Sequence, residues 1–294
     1  MKPPLIMLSD SEYQLLGHLR YIAHHRRRGG QWGERRATRR GDGLEFADFR
    51  DYSPGDNPRR VDWNLYARLD RPYVRLFEEQ EELHVAVLVD GSGSMGWEDG
   101  PVNRWAVVQK LALALGGIAL RNGDRLEATG TGPAIWGPHR GYGYFPTWQT
   151  WVSMLAPRGD ASIGTTMQQY ASHATRPALV VVLTDGYDVE DLAQGAVALA
   201  AHGHEIILCH VLTPGERAPS LQGDVRLVDT ETGAGLPVNI DLAALDAYRQ
   251  KLDGWCRDLR SMANKHNGRY VILGAELPLH RLLLEDLRDA NVLR

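Results

Sequence analysis

The chain has 294 residues, of which 43% are hydrophobic and 24% are charged, and its formal net charge at pH 7 is −4. These values predict a soluble globular protein of one large or two modest domains and exclude a general electrostatic attraction to nucleic acid. The two cysteines, Cys209 and Cys256, lie far apart, which excludes a disulfide framework and indicates a reducing compartment. The apolar run 111–120 is too short to span a membrane, and the N-terminus has no signal-peptide pattern, so we expect a cytoplasmic protein without a membrane span.

The first 82 residues are predicted to form an extension of the main domain. A helix is expected over 10–26, and the following segment, rich in Arg, Asp and Gly, predicts a β-rich arrangement of short strands and turns. Residues 20–40 contain eight arginines and one acidic residue, Glu34, and we interpret these charges as a solvated surface. Because no Gly/Ser/Pro-rich spacer follows, we predict that residues 1–82 pack on the next domain instead of being joined to it by a flexible linker.

From residue 83 onward, apolar strand patterns alternate with helical patterns. Strands are predicted at 83–89, 125–130, 178–184, 204–212 and 268–273. Helices are predicted between Pro101 and Asn122 and at 165–175, 189–201 and 241–265. The alternation predicts an α/β domain over 83–294, with a Rossmann-like parallel sheet covered by helices on both faces and a β-hairpin inserted at 224–239. The strands 83–89 and 178–184 are apolar at almost every position, so we place them in the middle of the sheet.

The stretch LVDGSGSMG, residues 88–96, supports two interpretations. Gly91, Gly93 and Gly96 spell G-x-G-x-x-G after an apolar strand, which is the pattern of a dinucleotide-binding loop. Such a loop should open a helix at its third glycine, and an acidic residue should end the next strand about 20 positions later. Here WEDGP follows Gly96, and residues 110–116 lie within a predicted helix, so the sequence does not favour a dinucleotide site.

The second interpretation is a metal site built from hard oxygen ligands. Asp90 and Asp185 each end a predicted central strand, and the carboxyl ends of parallel strands meet at the edge where such sheets bind ligands. Ser92 and Ser94 supply hydroxyls from the loop after Asp90. A further loop supplies a third hydroxyl, from Thr165 or from the neighbouring Thr166. Oxygen donors of this kind suit Mg²⁺, or another divalent cation such as Mn²⁺ or Ca²⁺. The alternative is that these residues only satisfy free backbone amides at strand and helix ends.

These motifs carry a resemblance to known families. D-x-S-x-S at 90–94, a threonine loop and T-D-G at 184–186 together resemble the metal-ion-dependent adhesion site of von Willebrand factor type A domains, with Asp90, Ser92, Ser94, Thr165 and Asp185 as its ligands. The segment from GDGLEFADFRDYSPGDNP to LVDGSGSM is similar to the domain-of-unknown-function-58 family, in which it precedes a type A-like domain. The hairpin RLVDTETG and the closing YRQKLDGW segment extend the similarity over about 30–290. Many members have S-D-F where this chain has Thr184-Asp185-Gly186.

The function expected from this reasoning is binding and not catalysis. A cation held by one carboxylate and hydroxyls keeps positive character and an open position, which favours an Asp or Glu carboxylate from a protein partner. The family resemblance implies an accessory role beside a MoxR-type AAA+ ATPase in protein assembly or maturation, with the ATPase or its client as partner. The alternative is a metal-dependent hydrolase acting on an anionic substrate. That reaction would need a general base or nucleophile, and no His, Lys or Cys adjoins the three loops in sequence.

Overall fold

A computed structural model describes residues 4–26, 32–34, 45–53, 56–58, 61–78, 83–130, 135–157, 162–220, 223–228 and 235–294. The chain forms two compact units, one comprising Met1–Ala23 with Leu83–Arg294 and the other comprising His24–Glu82. The N-terminal segment therefore belongs to the larger α/β unit, whereas the sequence-based boundary grouped it with residues up to 82. No helix within the described ranges is both long and apolar enough to cross a membrane.

Short strands dominate the described residues before residue 83, and strands alternate with helices after it. The strands are β1 (His24–Arg26), β2 (Trp32–Glu34), β3 (Glu45–Asp51), β4 (Tyr73–Glu78), β5 (His84–Val89), β6 (Glu98–Asp99), β7 (Val102–Asn103), β8 (Arg125–Gly130), β9 (Trp136–Arg140), β10 (Leu179–Thr184), β11 (Glu205–Leu212), β12 (Gly223–Val228), β13 (Gly235–Ile240) and β14 (Arg269–Gly274). The helices are α1 (Asp10–Leu16), α2 (Trp63–Leu69), α3 (Arg104–Arg121), α4 (Phe145–Met154), α5 (Ile163–His173), α6 (Val189–Ala201), α7 (Pro214–Arg217), α8 (Leu242–Lys265), α9 (Leu279–Arg281) and α10 (Leu287–Asp289).

The larger unit is built on a mostly parallel sheet with the strand order β14-β11-β10-β5-β8-β9. Every neighbouring pair is parallel except β8 and β9, which are antiparallel. The five predicted strands of this unit are all present, and β5 and β10 lie next to each other in the middle of the sheet, as their apolar sequences predict. The predicted α/β class with a parallel sheet is therefore confirmed, while the antiparallel edge strand β9 was not predicted.

Helices cover both faces of this sheet because the side chains of its strands alternate between two apolar cores. In β5, Val85, Val87 and Val89 join the core that includes α3 and α4, while Ala86 and Leu88 join the core that includes α5, α6 and α8. All five side chains are at most 1% exposed. An alternating strand that is buried on both faces must be apolar at every position, which is why its sequence was informative.

Three further elements bear on the sequence predictions for the larger unit. The β12–β13 hairpin is antiparallel and confirms the hairpin expected at 224–239, although the residues between its two strands lie outside the described ranges. The long helix expected at 241–265 is α8, capped by the Asp241 side chain. The first helix, α1, ends at Leu16 instead of at residue 26, because residues 20–22 pair with the C-terminal residues 292–294.

The smaller unit has the predicted short strands. β3 and β4 pair antiparallel with an irregularity between Phe46 and Asp48, and β1 pairs with β2. Between β3 and β4 lies α2, which the sequence analysis did not predict. Its N-terminus is capped by the Asp62 side chain, which accepts from the N–H groups of Asn64 and Leu65. The arginines at 35–40 lie outside the described residues.

Candidate metal centre

Asp90 is fixed at the carboxyl end of β5 by hydrogen bonds to two neighbouring segments. Its N–H donates to the Leu183 carbonyl at 2.9 Å, which continues the pairing of β5 with β10. One carboxylate oxygen, Oδ1, accepts from the Ser92 N–H at 2.9 Å, and the other, Oδ2, accepts from the Thr184 hydroxyl at 2.6 Å. The Thr184 Oγ1 in turn accepts from the Gly186 N–H at 2.9 Å. The residue is 4% exposed, so this carboxylate is both buried and held in place.

Asp185 follows β10 and lies beside the loop that carries the two serines. That loop forms a 3₁₀ turn over Gly93–Gly96, and the Ser92 and Ser94 hydroxyl oxygens are 3.1 Å apart. The Ser94 side chain lies close enough to the Asp185 carboxylate to lower its pKa. Asp90, Ser92, Ser94 and Asp185 therefore lie together as one polar cluster at the carboxyl edge of the sheet.

The predicted threonine ligand lies at the start of α5. Ser162 caps this helix: its Oγ accepts from the Thr165 N–H at 2.9 Å and donates to the Asp191 carboxylate at 2.7 Å. The exposed Thr165 hydroxyl is 2.9 Å from the same Oγ, and the Thr166 hydroxyl donates to the Ser162 carbonyl at 3.0 Å. These contacts belong to the cap, so the choice between Thr165 and Thr166 as a ligand stays a prediction.

Arg104 is a central member of the site that sequence reasoning missed. It is the first residue of α3, directly after the N-cap Asn103, and it is 1% exposed. Its Nη1 donates to Asp185 Oδ2 at 2.6 Å, and its Nη2 forms an ion pair with Glu216. A cation at a helix N-terminus opposes the helix dipole, so these two carboxylates explain its position. An arginine within the first turn of a predicted helix, where acidic residues are favoured, is the sequence signal that could have identified it.

The electrostatics of the cluster follow from burial and from an excess of acidic groups. Burial, and secondarily the charge of Asp185, raises the pKa of Asp90 from 3.8 to about 6. Burial also raises the pKa of Asp185, although the Arg104 guanidinium opposes this shift. Asp185 and Glu216 both contact the Arg104 guanidinium, and Asp185 lies close enough to Asp90 for its charge to raise the Asp90 pKa. Ionisation of Asp90 therefore adds a negative charge to a buried place where Arg104 already contacts two other carboxylates.

This donor set fits a divalent cation that prefers oxygen. Mg²⁺ usually binds to one or two carboxylates and completes its coordination with neutral oxygens and water. Asp90 and Asp185 provide the carboxylates, and Ser92 and Ser94 provide neutral hydroxyls. Within the described part of the chain, no group of three or more His, Cys, Asp or Glu side chains is arranged to hold a metal ion. A cation at this site would therefore depend on the serine hydroxyls and on water as well as on the carboxylates.

Aromatic side chains of α8, β11 and β14 contact the loop after Asp185 or one another. Trp255 of α8 donates its Nε1–H to the Gly186 carbonyl at 2.9 Å. His210 of β11 contacts the Trp255 ring, and its Nδ1 lies 2.7 Å from the Tyr270 hydroxyl. Burial lowers the pKa of His210 to about 4, so this side chain is neutral at pH 7. It has 0% exposure, which leaves it without access to a substrate at the surface.

Two aromatic side chains border the site on the solvent side. Trp97 follows the 3₁₀ turn and is 45% exposed, and Tyr187 follows the Asp185 loop and is 70% exposed. The Tyr187 ring packs edge-on against Trp255, with 5.5 Å between the ring centroids. Exposed aromatic side chains next to a buried polar cluster resemble the composition of protein-binding surfaces.

Comparisons with known proteins identify a family and several distant relatives. A family model described as "Protein of unknown function DUF58" matches residues 48–258. Uncharacterized proteins of Mycobacterium bovis and Mycobacterium tuberculosis are each 28% identical to this chain over 216 residues, covering 71% of this chain and 67% of the relative. Among solved structures, conserved hypothetical protein BatB from Bacteroides thetaiotaomicron is 15% identical with a TM-score of 0.43, covering 65% of this chain and 90% of that one. An aerotolerance-related membrane protein from Bacteroides fragilis, solved with mutations to serines, is 16% identical with a TM-score of 0.43, covering 65% and 91%.

Proposed function

The chain belongs to the DUF58 family of proteins of unknown function, and we propose that it is a non-enzymatic protein-binding module that depends on a divalent cation. The observation that carries this proposal is the cluster of Asp90, Ser92, Ser94 and Asp185 at the carboxyl edge of the parallel sheet. Its oxygen donors come from two strand ends and one loop, and its negative charge exceeds what Arg104 can neutralise.

In this proposal each residue has a distinct part. Asp90 contributes a carboxylate oxygen, Ser92 and Ser94 contribute hydroxyl oxygens, and Thr165 contributes a third hydroxyl from α5. Asp185 contributes its charge, directly or through water. A bound Mg²⁺, Mn²⁺ or Ca²⁺ would supply an electrophilic position for a carboxylate oxygen of an Asp or Glu on the partner.

The surroundings of the cluster support a protein ligand. Trp97 and Tyr187 expose large aromatic surfaces on the loops that carry the cluster, and aromatic residues contribute strongly to protein interfaces. Hydrolysis would need an accessible base or nucleophile, and the nearby His210 is fully buried with its Nδ1 bound to Tyr270. We therefore favour binding over the metal-dependent hydrolase.

The partner class comes from the family resemblance. We infer an accessory role beside a MoxR-type AAA+ ATPase in protein assembly or maturation, in which the ATPase or its client presents the acidic side chain. The cation-dependent site and the acidic partner are two parts of the same proposal, because a carboxylate that replaces water at the cation gains a direct charge interaction in a partly desolvated place.

The proposal is tested by measuring complex formation between the full chain and a purified MoxR-type ATPase, with Mg²⁺ and then with chelator. We expect binding in Mg²⁺ and its loss in chelator. Asp90→Ala should abolish metal binding and complex formation together, and Ser92→Ala should weaken both. The matched control is Ser172→Ala, which removes an exposed serine hydroxyl that donates to Gln169 at the far end of α5.

Two outcomes separate the parts of this proposal. Tyr187→Ala should weaken the complex without changing Mg²⁺ affinity, since the ring lies at the exposed rim of the site. If the Asp90→Ala protein bound its partner equally well in chelator, the metal site would have no part in the complex. The arginine-rich segment at 20–40 would then become the preferred docking surface.

A further inference from the structure

The Arg104 guanidinium is shared between two carboxylates on different parts of the fold. Its Nη1 contacts Asp185 at the sheet edge, and its Nη2 contacts Glu216 on α7. The Arg104 and Asp185 side chains are both 1% exposed, and that of Glu216 is 21% exposed. Because ion pairs in poorly hydrated places are little screened, the charge of Arg104 acts strongly on Asp185.

The position of the guanidinium is fixed from the Glu216 side. The Glu216 carboxylate accepts from the Thr213 N–H at 2.8 Å, and its main-chain carbonyl accepts from the Tyr248 hydroxyl at 2.6 Å. One residue earlier, the Gly215 N–H donates to the Asp99 carboxylate at 2.5 Å. These contacts tie α7 to α8 and to the short strand β6. Arg104 is therefore held by the Glu216 carboxylate, which is itself fixed by hydrogen bonds, and it is not a mobile surface charge.

On the basis of the proposed function, we propose that Arg104 is the specificity-determining residue that makes the site select an anionic carboxylate. Two carboxylates alone would cancel the charge of a divalent cation. Arg104 compensates Asp185, so that the cation faces one effective carboxylate, that of Asp90, and keeps positive charge for its incoming ligand. Glu216 contacts the other end of the guanidinium, and its charge acts on the site from a greater distance.

Cation affinity and attraction for a carboxylate ligand change in opposite directions with the effective charge of Asp185, and Arg104 sets that charge. A stronger negative charge at Asp185 would bind the cation more tightly, but it would leave less attraction for a carboxylate ligand. A paired Asp185 binds the cation less tightly and leaves it more electrophilic. Removal of Arg104 should therefore increase cation affinity and decrease carboxylate capture, which a purely structural role would not do.

The test uses the double variant R104Q/E216Q in the full chain. It removes one positive and one negative charge, so the formal charge of the cluster stays constant while Asp185 loses its partner. Mn²⁺ affinity is measured by calorimetry with the metal alone, and carboxylate capture is measured as the relaxation enhancement of acetate protons by protein-bound Mn²⁺. We expect Mn²⁺ affinity to rise at least about tenfold and the acetate effect to fall several-fold. The matched control E216Q keeps the Arg104 contact with Asp185, and it should stay within about threefold of the wild type in both measurements.

The outcomes distinguish this inference from the proposed function. A folded double variant with wild-type Mn²⁺ affinity and acetate effect would overturn the role of Arg104 and leave the metal site intact. Failure of the folded wild-type chain to bind Mn²⁺ at millimolar concentration would overturn the proposed function itself, and the inference with it. If circular dichroism shows that the double variant does not fold, R104K decides the question. Lysine keeps the charge, so acetate capture should persist, and its loss would contradict an electrostatic role.

Discussion

Asp90→Asn should stabilise the protein at pH 8 in chelator, although it replaces a buried, hydrogen-bonded side chain. Burial, assisted by the Asp185 charge, raises the pKa of Asp90 from 3.8 to about 6. Each pKa unit corresponds to about 1.4 kcal/mol. At pH values well above 6, ionised Asp90 therefore lowers the free energy of unfolding by about 3 kcal/mol. Asparagine has one carbonyl oxygen and can accept from either Ser92 or Thr184, which loses one hydrogen bond of about 1 kcal/mol. The net gain is about 2 kcal/mol.

The sign of this effect depends on pH. Between pH 3.8 and about 6, the folded protein retains a proton on Asp90 that the unfolded chain has released, so stability falls as pH rises through this window. At about pH 4.5 the ionisation cost has dropped to about 1 kcal/mol, which the lost hydrogen bond offsets. The advantage of the asparagine variant should therefore vanish near pH 4.5 and be largest at pH 8.

Urea unfolding followed by circular dichroism measures this difference at both pH values in chelator. Added Mg²⁺ should stabilise the wild type at pH 8 and have no effect on the asparagine variant, because binding to the folded state adds to its stability. A variant that is less stable than the wild type by the same amount at both pH values would refute the argument. Asp90 would then be ionised in the folded state without a penalty.

Three other substitutions lie in α5, of which two test its part in metal binding and one tests its packing. Thr165→Ala should lower Mg²⁺ affinity about tenfold. Thr166→Ala should leave Mg²⁺ affinity unchanged, because the Thr166 hydroxyl donates to the Ser162 carbonyl. Calorimetry with both variants decides between the two residues, and the reverse result would make Thr166 the ligand. Gly164→Ala should lower the free energy of unfolding by about 2 kcal/mol, measured in urea, because a Cβ there would overlap the Asp191 main-chain oxygen on α6. An unchanged midpoint would show that the contact between α5 and α6 relaxes easily.

The sheet could be predicted because its constraints are local. Each central strand must be apolar throughout when both of its faces are buried, and the runs 83–89 and 178–184 satisfy this requirement. The strand β9 was missed because Gly137 and Pro138 interrupt its pattern, and both residues are tolerated at the antiparallel edge of a sheet. The end of α1 was missed because pairing of residues 20–22 with the C-terminus, a tertiary contact, replaces the helical pattern.

The candidate site was predictable to the extent that it depends on strand ends. Asp90 and Asp185 were identified because each terminates a strand, and adjacent parallel strands bring their carboxyl ends together. Arg104 lies 81 positions from Asp185 and 112 from Glu216, and its role depends on the packing of α3 and α7 over the same edge. No periodicity connects such distant residues. Their association required the three-dimensional structure.

The hydrogen bonds around Thr184 have a consequence for the dynamics of the sheet edge. The Gly186 N–H donates to the Thr184 hydroxyl, this hydroxyl donates to Asp90, and Asp90 accepts from the Ser92 N–H. Two backbone amides on separate loops are therefore linked through the side chains of Thr184 and Asp90, so opening either loop disrupts the bonds of the other. Their hydrogen exchange should be slow and correlated, and both rates should change together on ligand binding. The amide exchange rates of Ser92 and Gly186, which lie on the two loops of the site, can therefore report its occupancy.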